Sequence, residues 1–137
     1  MATERSFEAA MRICTASHSA GALSRAIPFP ASRLVERGSR LNGGTARDSR
    51  WILDSPLPET SPIEEHIGYF LGLLEQHTDG LKQLPTDCSI DIWCTIFTSG
   101  EFAGFALDRA LIKRLAAKGL ELVFSVYTEP ENKSSKK

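Results

Sequence analysis

Ser61, Glu64, Glu65 and His66, in the run SPIEEHIGYF (61–70), are the residues whose types and spacing come nearest to a reactive site. Neighbouring glutamates beside an imidazole suit a metal centre or an acid–base pair. A metal would need a second ligand one helical turn from His66, where the chain offers Pro62, Ile63, Tyr69 and Phe70. His77 shares the helix face but lies three turns on, about 16 Å away. Neither H-E-x-x-H nor H-x-x-E-H occurs. The same residues make a good helix start: Ser61 and Glu64 have capping-box spacing, and Pro62 falls at the first helical position. Ile63, Ile67, Phe70, Leu71 and Leu74 then recur at core-facing spacing. The run is read as a helix capped by Ser61, and not as a metal site.

The remaining reactive types are weighed in the same way. The three cysteines, Cys14, Cys88 and Cys94, form no C-x-x-C pair. Cys88 and Cys94 fall on one predicted strand, about 20 Å apart by strand rise, too far to bridge or share an ion. They share its apolar face and are read as core thiols. Cys14 lies on the opposite face of its strand, with no local histidine to activate it. All three are expected to be reduced, which places the chain in the cytoplasm. His18, between Ser17 and Ser19, reads as a loop or cap residue. Asn42-Gly43-Gly44 lacks the G-K-[ST] of a phosphate loop and reads as a hairpin loop. Trp51 is assigned to packing at the sheet edge. No catalytic residue, metal ligand or cofactor is assigned.

Those residues must be positioned by one domain. A chain of 137 residues, 42% hydrophobic, can bury a sizeable core as a single unit. Without ENKSSKK (131–137) the body holds 13 basic against 16 acidic residues, which gives no footprint for nucleic acid or an anionic membrane. No apolar run is long enough to span a bilayer, and Glu4 and Arg5 fall where a signal peptide needs apolar residues. Residues 1–128 are read as one domain and 129–137 as a disordered polar tail.

Periodicity gives the order β-α-β-β-α-β-α-β. SFEAAMRICTA alternates as a half-buried strand, a short helix runs from about Ser19 to Ala26, and a short strand lies within 32–40. RWILDS is a strand, followed by the helix at 61–77. CSIDIWCTIF turns Cys88, Ile90, Ile92, Cys94 and Ile96 to one face. Asp108 caps a helix stopped by Gly119, and LELVFSVYT ends the sheet with Leu120, Leu122, Phe124 and Val126 inside. Alternating strands predict an α+β fold, a mainly antiparallel sheet with helices packed on one face, ferredoxin-like with an added helix and strand.

WILDS, IEEHIGYFLGLLEQH, GFALDRALIKRLAAKGLELVFSVYT and the turn IPFPASRLVERGS together resemble the bacterial family catalogued as domain of unknown function 4279. The resemblance runs from the first strand to Tyr127. It implies a small stand-alone α+β domain and carries no activity onto particular residues.

If helices cover the Ile/Leu face, then Arg12, Cys14, Trp93, Thr95, Phe97, Val123, Ser125 and Tyr127 share the other. Arg12, Trp93, Phe97 and Tyr127 are the candidate partner- or ligand-binding residues. The expected function is a non-catalytic binding or interaction domain whose partner is a protein or a second copy of itself. Two alternatives use the same face. One is a small-molecule enzyme or ligand-binding domain, and the other a single-stranded RNA platform. The acidic body and the missing basic–aromatic string disfavour RNA.

Overall fold

The strand β1 (Arg5–Thr15) sets the layering, because its side chains alternate between a buried and a half-open face. Ala9, Met11 and Ile13 are buried on one side, while Glu8, Ala10 and Arg12 point to the other. The computed structural model describes residues 5–99 and 104–128. β1 runs antiparallel to β5 (Ser49–Asp54) on one flank and to β6 (Ser89–Thr98) on the other. β2 (Arg33–Val35) extends the sheet beyond β5, and β7 (Glu121–Thr128) extends it beyond β6. The strand order is β2-β5-β1-β6-β7. The β6–β7 pair is parallel, its crossover containing α4 (Arg109–Ala117). A separate hairpin joins β3 (Arg40–Leu41) to β4 (Gly44–Thr45). Gly43 and Gly44 have φ of 92° and 145°, conformations that favour glycine, so the NGG run is the expected hairpin loop.

The core lies between this sheet and the helices. Leu23 of α1 (Ala20–Ala26), the stripe of α2 (Ile63–Gln76) and Leu111 and Leu115 of α4 pack on Met11, Ile13, Trp51, Ile92 and Cys94. The class is the expected α+β one, a mainly antiparallel sheet with helices on one face. Its connectivity is now explicit: β1 is antiparallel to both neighbours, and the parallel pair stands at the edge. Trp51 is fully buried, not at an edge, since β2 flanks β5; its ring meets Phe29 edge-on at 5.5 Å. Phe29 also stacks edge-on against His77, just before the short helix α3 (Thr78–Leu81). No helix among the described residues is long and apolar enough to cross a membrane.

Local signals fared unevenly. Ser19 caps α1, its Oγ accepting from Ala22 N at 3.0 Å, and Asp108 caps α4, accepting from Leu111 N at 2.8 Å. Gly119, at φ 66°, stops α4. The expected Ser61 cap is corrected: Pro62 holds the N-cap position of α2, and no side chain caps the helix. Ser61 instead sits in a turn, its N–H bonded to the Pro58 carbonyl at 2.9 Å. The inside assignment of Phe124 and Val126 is corrected too. They are 37% and 52% exposed, because the edge strand β7 runs out past the helical layer. The assigned tail, residues 129–137, lies outside the described residues.

Candidate functional site

The half-open face of the sheet is assembled by strand register. Arg12 of β1 stands directly opposite Asp91 of β6. Directly opposed side chains of an antiparallel pair lie within reach of one another. The guanidinium therefore meets the carboxylate fork to fork, Nε to Oδ1 at 2.9 Å and Nη2 to Oδ2 at 2.8 Å. The bond to Asp91 is the main cause that raises the Arg12 pKa above its ordinary value. Trp93 lies one step along the same face, opposite the small Ala10. Arg12 Cζ sits 4.2 Å from its ring centroid, a cation–π contact. The indole N–H donates to Ser125 Oγ on β7 at 3.2 Å. Charge, aromatic ring and hydroxyl thus form one chain across three strands.

A second pair stands further along. Phe97 and Tyr127 are register partners of β6 and β7, and their rings stack at 5.3 Å with planes 18° apart. They are 39% and 57% exposed. The four expected site residues therefore fall into two contacting pairs on one face, Arg12 with Trp93 and Phe97 with Tyr127. Four residues of strand, about 13 Å, separate Trp93 from Phe97.

A cleft of about 810 Å³ opens beside the first pair, lined by Arg12, Trp93, Arg33, Ile52, Asp54 and Glu8 among others. Arg33 of β2 bonds Asp54 of β5 at 3.1 Å along its rim. His66 also reaches it: the ring is buried, Nδ1 meets Ser55 Oγ at 2.7 Å, and Nε2 has no hydrogen-bond partner among the described residues. Sequence reasoning did not single out Asp91, Arg33 or Asp54. The parity of Asp91 with Trp93 was visible, but its pairing with Arg12 needs the register between strands far apart in sequence.

The geometry speaks to the chemistry of the other reactive groups. Asp87 Oδ1 accepts from Thr15 Oγ1 at 2.7 Å and Ser17 Oγ at 2.9 Å, and Ser17 Oγ lies 2.7 Å from His18 Nδ1. These are the residue types of a catalytic triad in the wrong sequence, because the imidazole must stand between carboxylate and hydroxyl. Here the carboxylate holds the hydroxyl directly and clasps the end of β1 to the start of β6; the bond from Thr15 is the main cause that lowers its pKa. Burial pushes the thiols up, Cys94 to about 12 and Cys88 to about 11, and raises Cys14 also. Such thiols are poor nucleophiles. No group of three or more potential metal ligands gathers among the described residues.

Fold and face together define a small α+β domain that covers one side of its sheet with helices and leaves an aromatic and charged surface on the other. Residues 5–129 match the family described as Domain of unknown function (DUF4279), and the chain belongs to that family. No curated protein and no solved structure matches it.

Proposed function

We propose that this chain is a non-catalytic interaction module that takes hold of another protein surface with the open face of its sheet, a second copy being the simplest partner. The observation that carries this reading is the exposed, stacked Phe97–Tyr127 pair, on the same sheet face as Trp93 and Arg12. Aromatic and arginine side chains are enriched at the centres of interfaces, and isolated monomers seldom leave contiguous apolar patches uncovered. The three free thiols suit a reducing, cytoplasmic setting. Light scattering over rising concentration tests the reading. The wild type should gain mass, and Tyr127→Ala, at a half-exposed position, should weaken association by roughly tenfold or more while leaving the monomer folded. A wild type that stays monomeric up to about 1 mM, beyond which association weaker than about 4 kcal/mol would go unseen, overturns the self-associating form.

The cleft beside Arg12 favours a second reading, a small polar ligand held between Trp93 and Arg33. Its size lies in the range of ligand pockets. Quenching of Trp93 fluorescence by a panel of small carboxylates and nucleosides, abolished by Arg12→Ala, would support this reading over the first.

A further inference from the structure

β7 ends the sheet, and no strand among the described residues flanks its outer side. Natural edge strands are kept short, or carry lysine, proline or a bulge, so that they do not template pairing. The opposite edge obeys this rule: β2 is three residues long and carries Arg33. β7 does not. It runs eight residues, ELVFSVYT, with no lysine or proline and with its one charge, Glu121, at the first position. Phe124, Val126 and Tyr127 are 37%, 52% and 57% exposed along it.

We propose that the partner is a second copy of this chain, joined edge to edge through antiparallel pairing of β7 with β7 about a two-fold axis at Ser125. This rests on the interaction-module reading and names where the two copies meet. A two-fold axis requires the two strands to run antiparallel, since parallel edge pairing does not close. Side chains opposed across the joint must also share a face, so the axis passes through a residue rather than between two.

Among such registers, the one centred on Ser125 matches like with like. It sets Tyr127 opposite the partner copy's valine 123, and Phe124 opposite its valine 126. Because Phe97 is already in register with Tyr127, and Trp93 with Val123, the open face gains a continuous row from Phe97 through Tyr127 to the second copy's valine and tryptophan. On the helical face Ile96 and Val126 continue into the second copy's phenylalanine 124 and cysteine 94. The middle row is Thr95 and Ser125 against their own copies. Glu121 falls outside the paired segment 122–128. Moving the axis one residue to Phe124 would set Tyr127 against the acidic end of the partner strand, in the row of Glu121 and Asp91. Moving it to Val126 would set Phe124 against a threonine and Tyr127 against a serine. Aromatic and β-branched cross-strand pairs are the favourable ones, so the Ser125 register is selected by side chains as well as by symmetry. The product is a ten-stranded sheet with both helical layers on one side and both aromatic faces on the other.

The test uses the full chain. In wild type, mass by light scattering should rise to that of a dimer with concentration. Val126→Lys, at a position already half exposed, should raise the dissociation constant roughly 30-fold or more with an unchanged circular dichroism spectrum. Ser125→Cys should cross-link to itself under mild oxidation, since directly opposed residues lie about 4.5–5.5 Å apart, within disulfide reach. Wild type treated alike should not cross-link, its thiols being buried or half-buried. A dimer that Val126→Lys leaves intact, or that Ser125→Cys fails to cross-link, overturns the edge pairing and leaves the interaction reading standing. A wild type that remains monomeric overturns the edge pairing together with the self-associating form of the interaction reading.

Discussion

Nδ1 of His66 lies 2.7 Å from Oγ of Ser55, joining the first turn of α2 to the residue that follows β5. The same hydroxyl accepts from the Leu57 N–H at 3.2 Å, so one short side chain orders the turn and holds the ring. Burial is the main cause that lowers the imidazole pKa below its ordinary 6.5, with weaker opposing pulls from the Ser61 and Pro58 carbonyls. The ring is therefore neutral in the folded protein near pH 7.

A buried neutral histidine makes stability pH-dependent with a definite sign. The unfolded chain takes up the proton first, so stability is complete above 6.5 and falls as pH drops below it toward the lowered folded value. Thermal melts between about pH 8 and about pH 5 should show this fall in wild type, and His66→Gln should flatten it. A slope that persists in His66→Gln assigns the titration to another group.

The two helix starts should respond differently to the same kind of substitution. Asp108→Ala removes the oxygen that accepts from Leu111 N and should cost about 1 kcal/mol. Ser61→Ala should change stability by less than about 0.5 kcal/mol, because Ser61 caps nothing. Denaturant melts of both variants decide the matter, and equal losses would restore Ser61 as a cap.

Arg12 and Asp91 form a largely buried pair, their side chains 21% and 14% exposed. Arg12→Ala should lower stability by roughly 2 kcal/mol, since it strands the carboxylate and strips the cation from the Trp93 ring. Arg12→Lys should recover only part, as an ammonium cannot bond fork to fork. A double-mutant cycle with Asp91→Ala checks the coupling; strictly additive losses would mean that the two residues act independently.

Much of the layering was legible along the chain. Period-two alternation in β1 and β6 and the 3.6-residue stripe of α2 are local signals, written by which side chains must leave water. Asp108 and Gly119 were equally readable, because a cap is decided within four residues of sequence. Ser61 misled for a reason that is also physical. The spacing was right, but the Pro58–Ser61 turn enters the helix one residue later and leaves the serine outside it.

The binding face was legible in membership and illegible in arrangement. Parity alone put Arg12, Trp93, Phe97 and Tyr127 on the surface away from the helices, because successive side chains of a strand must alternate. Register, strand order and edge position are relations between segments up to about a hundred residues apart, and no local pattern encodes them. Only the tertiary structure set Arg12 against Asp91, stacked Phe97 on Tyr127, and brought Arg33 and His66 to one cleft. The sequence determined which residues lie on each face of a strand; the packing of β7 at the end of the sheet decided that Val126 would stand half exposed and that Phe124 would be covered only in part, by the Phe105 ring at 4.9 Å, since no further strand among the described residues flanks it.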